Sequence, residues 1–317
     1  MNANSLNDSL AAATNEPKNF RDPRVSVAAL LTCHNRREKT IACLGRLFAQ
    51  DCLGPQSTGV REVHVEAFLV DDDSGDGTTE AVNERFPQVA VIHGPGDLFW
   101  AGGMRLAWRT ALQTRDYNAF LMLNDDTMLS PTALRCLLET LAFMRQRHGR
   151  EGIAVGSILD NTGQHHYGGK LLWNGRGEVM PGDIPKACDL FNCNATLVSF
   201  DAYETLGEFS EVFTHSMADY EYSARAHRFN VPVYIAAGYM GVCERNPVPE
   251  WLALDTPLRR RWQLIQLPKG LPPKEYWHLC RALYSWRWPI PFFGTYLRLM
   301  IPWLRRMEYT RHTDHGL

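Results

Sequence analysis

A chain of 317 residues, 45% hydrophobic and 21% charged, has an ordinary globular composition and enough length to bury a full core, as one large α/β domain or two smaller ones. Its formal net charge of −2 supplies no basic field for nucleic acid. The eight cysteines are scattered without a CxxC pair, the N-terminus lacks an apolar leader, and no apolar run reaches the ~18 residues of a membrane span. A disulfide framework, a signal peptide and a transmembrane helix are therefore not expected. Reduced, buried thiols in a cytoplasmic protein are.

Residues 1–23 are polar and closed by Pro17 and Pro23, and read as a mobile arm. Residues 25–31 (VSVAALL) form a first buried strand that ends in polar Thr32, Cys33, His34, Asn35 and Arg36. Ile41, Leu44, Leu47 and Phe48 then recur at helical spacing over 38–50, and Gly54, Pro55 and Gly59 mark a loop over 51–62. The second strand, 63–70, runs into Asp71-Asp72-Asp73-Ser74-Gly75-Asp76-Gly77-Thr78. Two readings of that cluster are compatible. Asp76 or Thr78 is an N-cap for a helix over 79–86, and Asp72 accepts hydrogen bonds from a base or ribose.

Residues 89–93 are a short strand. Gly102 and Gly103 precede a helical pattern through Leu106, Ala107, Thr110 and Ala111. They read as tight packing, or as a helix N-terminus open to an anion with Arg105 as a diphosphate contact. Phe120-Leu121-Met122-Leu123 is a short unbroken apolar run, suited to a strand buried on both faces, and it meets Asn124, Asp125 and Asp126. Paired carboxylates at a strand end are a common turn ending. They are also costly to bury without a cation, and strand carboxyl ends are where open α/β sheets bind ligands. Asp125 and Asp126 therefore read as a divalent-metal and nucleotide-diphosphate site. A helix follows over 131–145. The alternation of strand and helix over 25–150 implies a parallel sheet with right-handed crossovers, which puts the polar ends 32–36, 71–78 and 124–127 on one edge.

In the second half, 153–158 is a strand. Residues 160–190, rich in Gly, His, Trp and Asn, read as a strand pair with a long loop, with Trp173 as a half-buried core residue or a sugar-stacking ring. Residues 187–200 end in a strand, and 201–206 is a short helix closed by Gly207. Helical spacing resumes at Asp219, read as a first-turn carboxylate favoured by the helix dipole or as a general base. Residues 231–235 and 239–243 are two short strands, and 246–275 is proline-rich and polar. The stretch 277–304 mixes Trp, Tyr and Phe with arginines. It reads as helices packed on the catalytic domain, an oligomer contact, or a face lying on an anionic membrane.

Together these motifs resemble the family 2 inverting glycosyltransferases of the GT-A fold, a group that includes bacterial rhamnosyltransferase-like proteins. Thr32-Cys33-His34-Asn35 is similar to that family's Thr-x-x-Asn strand ending, 70–78 to its VDDxSxDGT signature, and Asn124-Asp125-Asp126 to its Asp-x-Asp element. Residues 207–225 are similar to its later GxFxExFFxxxxDxDxxxR pattern, with Glu221 and Arg225 in register.

The resemblance spans about 25–246. It implies a mostly parallel α/β sheet flanked by helices over 24–246, with 247–317 as a helical, aromatic and basic extension. It implies Thr32, Asn35 and Asp72 at the nucleoside and Arg105 near the diphosphate. Asp125 would lie near ribose or donor sugar, Asp126 would hold Mg²⁺ or Mn²⁺, and Asp219 would be the catalytic base. The partners implied are a nucleotide-diphosphate sugar and a glycan or lipid-linked acceptor of surface polysaccharide or glycolipid synthesis. Peripheral contact with the inner face of the membrane would run through 277–306. The family's late His is missing, leaving Cys243 or Glu244 to substitute, or no third ligand. The rivals are a nucleotidyltransferase, disfavoured because residues 30–37 contain no glycine, and a non-catalytic nucleotide-sugar-binding or scaffold protein.

Overall fold

The computed structural model describes residues 25–53, 62–173, 175–253 and 255–301. The arm read over 1–23 lies outside them, as does most of the 51–62 loop. In chain order the first half contains β1 (Val25–Cys33), α1 (Arg37–Phe48), β2 (Val63–Asp71), α2 (Thr78–Arg85), β3 (Ala90–His93), α3 (Phe99–Thr114), β4 (Ala119–Leu123), β5 (Thr127–Leu129) and α4 (Ala133–His148). The second half contains β6 (Ile153–Leu159), β7 (His165–Tyr167), β8 (Gly169–Leu171), β9 (Gly177–Val179), β10 (Lys186–Ala187), β11 (Leu190–Phe191), β12 (Ala195–Ser199), α5 (Phe200–Leu206), α6 (Ala218–Arg228) and β13 (Val233–Cys243). Helices α7 (Leu258–Ile265), α8 (Pro273–Tyr284) and α9 (Pro289–Met300) complete it, with a 3₁₀ turn at Ser285–Arg287.

The central sheet runs β10-β13-β6-β12-β4-β1-β2-β3. It is mainly parallel: β4, β1, β2 and β3 share one direction, β6 and β13 pair parallel, and β12 runs antiparallel between β4 and β6. The period of two along a strand explains why the middle of β1, residues 27–31, has to be apolar at every position. Ala28 and Leu30 enter one core, with Met104, Trp108 and Phe120. Val27, Ala29 and Leu31 enter the other, with Leu44, Leu47 and Leu137. Helix α3 covers the first face, and α1 and α4 cover the second.

Several elements differ from the sequence reading. The two strands expected at 231–235 and 239–243 are one strand, β13. It is interrupted by register shifts between Ile235, Tyr239 and Gly241, with Gly238 at φ 73°. That bulge hides its continuity in the sequence. The proline-rich stretch contains α7, whose inward residues are Arg261 and Ile265. The segment 160–190 is more than a strand pair: it contributes a three-stranded sheet, β11-β8-β9, along with β7 and β10. Trp173 stacks on His227 at 3.9 Å and donates Nε1–H to the Leu283 carbonyl at 3.3 Å, a packing role. All eight cysteines are unpaired and seven are buried. Among the described residues no helix is long and apolar enough to cross a membrane.

Helix α3 begins at Phe99, a turn earlier than the glycine pair suggests. Gly103 faces β1, where an added Cβ would stand 2.2 Å from Thr32 Oγ1 and 2.7 Å from Thr32 Cβ. At Gly102 the nearest contact would be Leu98 Cβ at 3.2 Å. Gly103→Ala should therefore destabilise the fold by about 1–3 kcal/mol through overpacking. Gly102→Ala should stay within about 1 kcal/mol of the parent, because the helix propensity of alanine offsets the milder crowding. Paired thermal melts of the two variants check this.

Candidate active site

Because β1, β2 and β4 run parallel, their polar C-terminal ends meet at one edge, and side chains knit them together. His34 Nδ1 donates to the Asp72 carbonyl at 2.6 Å. Asn35 N–H donates to Ser74 Oγ at 2.9 Å, and Asn35 Oδ1 accepts from Gly75 N–H at 2.8 Å. Asp71 accepts from Ser74 N–H at 3.0 Å, and Asp76 accepts from Thr78 N–H at 3.1 Å; the N-cap of α2 is Gly77, however, and not Asp76 or Thr78 as the sequence suggests. Thr32, half-buried, packs its side chain against Gly103.

Asp72 is 4% exposed. Its Oδ1 accepts from Gly96 N–H at 2.8 Å, and its Oδ2 accepts from Leu98 and Phe99 N–H at 3.0 and 3.1 Å. The start of α3 is thus capped by a carboxylate of the chain itself, so it is not the open anion site that the glycines suggest. The next two donors are also taken. Trp100 N–H reaches His215 Nδ1 at 3.4 Å, and Ala101 N–H reaches the Thr214 carbonyl at 3.0 Å. Trp100 Nε1–H donates to Asn124 Oδ1 at 2.8 Å. One helical turn therefore holds the end of β2, the end of β4 and the loop that leads to Asp219.

Asp125 and Asp126 are both buried. A single guanidinium nitrogen, Arg36 Nη1, donates to Asp125 Oδ1 at 2.8 Å and to Asp126 Oδ2 at 2.9 Å. Thr40 Oγ1 donates to Asp125 Oδ2 at 3.3 Å. Burial raises the Asp125 pKa to about 6 against the pull of Arg36, and the neighbouring Asp126 adds to the rise. Burial works against the Arg36 charge, but the two carboxylates more than offset it and its pKa is raised.

Cys243 places Sγ 3.5 Å from Asp126 Oδ1. Burial, followed by the Asp126 charge, pushes this thiol up to about 12, so it stays protonated at neutral pH. Glu244 turns away to Lys39 at 2.9 Å. Of the two candidates for the late His, Cys243 is the one beside the acidic pair.

Asp219 opens α6 and is partly buried. Tyr220 N–H donates to its Oδ1 at 2.9 Å, and Ser223 Oγ donates to its carbonyl at 2.8 Å. Burial raises its pKa to about 6, opposed by the Tyr220 N–H, the Asn192 side chain and the Lys170 charge.

Glu221 and Arg225 pair at 2.9 Å, and Arg225 Nη2 donates to the Glu208 carbonyl at 2.8 Å, fixing α6 on the preceding loop. Arg105 does not turn toward the acidic pair. Its Nη1 donates to the carbonyls of Ser210 and Phe213 at 3.0 and 2.9 Å.

Four non-glycine residues in this region, Asn35, Asp73, Phe99 and Met217, adopt positive φ of 52°, 62°, 53° and 72°. Such backbone is costly outside glycine and collects where function overrides local preference. Sequence reasoning did not single out Arg36, Trp100, Asn194 or His215. Arg36 closes the polar ending of β1, which was its signal, while Asn194 enters through a backbone bond from Asn124 N–H at 3.1 Å and through its Nδ2, which donates to Cys243 Sγ at 3.9 Å.

Arg36→Gln should leave two buried carboxylates unpaired. A fully buried pair costs roughly 3–5 kcal/mol to break, and the partial exposure of Arg36 lowers that to about 2 kcal/mol. Because Asp125 titrates near 6, ionisation of the unpaired carboxylates weighs most at high pH. The loss of melting temperature should be larger at pH 8 than at pH 5. Equal losses at the two pH values would contradict this electrostatic role.

Residues 29–172 match the family described as glycosyl transferase family 2. No curated protein sequence matches the chain. Among solved structures, TarS 1–349 of S. aureus superposes with TM-score 0.50 at 12% identity, covering 87% of this chain and 90% of that one. Its complex with UDP gives TM-score 0.48 at 14% identity, over 83% of this chain and 72% of that one. The mannosyltransferase PcManGT of Pyrobaculum calidifontis, in complex with GDP-Man and Mn²⁺, gives TM-score 0.46 at 17% identity, over 93% and 78%. The sequence match, which covers a little under half of the chain, and the mainly parallel sheet flanked by helices agree: residues 29–172 match a glycosyl transferase family 2 domain, and the fold is of the GT-A kind.

Proposed function

We propose that this glycosyltransferase moves a sugar from a nucleotide-diphosphate donor to an acceptor hydroxyl with inversion, in the assembly of bacterial surface polysaccharide or glycolipid. One observation carries this reading: the first turn of α3 binds, by hydrogen bonds, the end of β2, Asn124 beside the acidic pair, and the loop before Asp219. The nucleoside lies at the Thr32–Asn35 and 94–99 side. Asp72 and Asn35 hold the shape of that wall, since their acceptors are largely engaged by the chain. Asp125 lies near ribose or donor sugar.

Asp126 would hold Mg²⁺ or Mn²⁺. Among the described residues no group of three or more His, Cys, Asp or Glu side chains is gathered to hold a metal ion. Mg²⁺ usually takes one or two carboxylates together with substrate phosphates. Two adjacent carboxylates beside a protonated thiol therefore fit an ion that arrives with the donor. When bound, the ion stabilises negative charge on the departing diphosphate.

Asp219 accepts the proton of the attacking hydroxyl. With a pKa near 6 it is ionised at neutral pH yet more basic than an ordinary carboxylate, which suits a general base. The Tyr220 N–H, the Asn192 side chain and the Lys170 charge keep it from being pushed higher.

A thermal-shift screen of nucleoside diphosphates and their sugars, with and without Mn²⁺, identifies the donor. With that donor, Asp219→Asn should keep nucleotide binding and lose transfer by about 10²–10⁴-fold. Transfer near the parent rate would remove Asp219 from the role. In the parent enzyme kcat/KM should be flat above the Asp219 pKa of about 6 and fall below it as the base is protonated. The limiting slope is about tenfold per pH unit.

A further inference from the structure

The last two helices present a surface that the transfer reaction does not use. Helix α9 buries Thr295 and Leu299, and Tyr276 on α8 lies 2.9 Å from Thr295 Oγ1. Ile290, Phe293 and Leu297 are 74%, 62% and 57% exposed. Their spacing of three and four residues puts them on one face, where a helix of a soluble domain normally carries polar side chains. Trp286, in the preceding 3₁₀ turn, is 76% exposed. An open cleft lined by Trp277, Arg281, Ser285, Trp286 and Trp288 adjoins this face through Trp288, which packs on Phe293 at 6.3 Å.

Charge selects what covers such a face. No Asp or Glu occurs from Tyr276 to Met307, a stretch with arginines at 281, 287, 298, 305 and 306; residues 302–306 lie outside the described residues. Arg281 sits over the Trp277 ring at 4.8 Å and Arg287 over Trp286 at 5.1 Å. A second copy docking on the same face would bring arginine against arginine, with no carboxylate in the segment to offset them. Lipid phosphates offset them directly. Indole rings favour the headgroup layer, and exposed apolar side chains favour the acyl boundary beneath it.

We propose that α9 and the Trp277–Trp288 cleft form a docking surface for an anionic lipid bilayer, with Ile290, Phe293 and Leu297 inserted and Arg281 and Arg287 on lipid phosphates. The surface is tied to the candidate active site. Glu275 on α8 accepts from Thr214 Oγ1 at 2.7 Å and from Thr214 N–H at 3.4 Å, and Thr214 in turn caps α3. Docking would hold the Asp219 side near the bilayer, where a lipid-linked acceptor lies. That last step rests on the proposed function, whereas docking itself does not.

Co-sedimentation of the full chain with phosphatidylcholine vesicles, and with vesicles containing phosphatidylglycerol, tests the surface. Binding should be about tenfold or more tighter on the anionic vesicles and should weaken as salt rises. Ile290→Ser/Phe293→Ser/Leu297→Ser should abolish it, and Arg281→Gln/Arg287→Gln should weaken it about tenfold. Both variants should keep the parent's thermal shift with nucleoside diphosphate, which confirms folding and separates this surface from the active site. Two outcomes would overturn the proposal. One is a parent chain that stays in the supernatant with every vesicle. The other is a dimer in sedimentation equilibrium that the serine variant dissolves, without any vesicle binding.

Discussion

The first turn of α3 is the constraint on which the active-site region depends. A helix N-terminus exposes donors that need partners, and here they come from two segments far apart in the chain. Asp72 takes the N–H groups of Leu98 and Phe99, His215 takes that of Trp100, and Thr214 takes that of Ala101. The Trp100 indole adds Asn124. Segments far apart in sequence are therefore placed around one turn by bonds whose loss would leave buried donors unsatisfied. The close approach of α3 to β1, allowed by Gly103 against Thr32, keeps that turn at the sheet edge.

Around this hub, charge is arranged so that little is left uncompensated. Asp125 and Asp126 share Arg36, and Cys243 gives Asp126 a neutral neighbour. Asp219 stands apart, with its own burial and its own donors. Burial brings both Asp125 and Asp219 to about 6, but their surroundings differ in kind. The first is held against a permanent cation at a strand end. The second opens a helix, with the Tyr220 N–H, then the Asn192 side chain and the Lys170 charge, as its counterweights. On the proposed function, an acidic pair at one place and a single basic carboxylate at another would divide the work of transfer between a charged donor and a neutral hydroxyl.

Much of this was legible in the sequence. A strand segment buried on both faces has to be apolar at every position, so the middle of β1, the second half of β2 and all of β4 stand out, and parallel strands send their polar ends to one edge. Asp125 and Asp126 are visible because carboxylates next to an apolar run need a reason, and Asp219 because helical spacing resumes there and the family resemblance puts it in register with a catalytic base. Long-range choices were not legible. Nothing local says that Arg36 spans both carboxylates, or that Arg105 turns to the carbonyls of Ser210 and Phe213. The glycine pair signals a special backbone need, but only the packed structure shows that Gly103 serves contact with Thr32. Helix α7 was hidden because its inward face includes Arg261, which donates to the carbonyls of Ala253 and Thr256. The single strand β13 was hidden by its bulge at Gly238.

The central claim is that the acidic pair and Asp219 face one shared donor–acceptor space. Crystals grown with a nucleoside diphosphate and Mn²⁺, measured at the manganese absorption edge, test it most directly. The account predicts an anomalous peak beside the Asp126 carboxylate, with the diphosphate between it and the Asp219 side of the edge. A nucleotide ordered elsewhere on the molecule, or a manganese peak remote from Asp126, would contradict it.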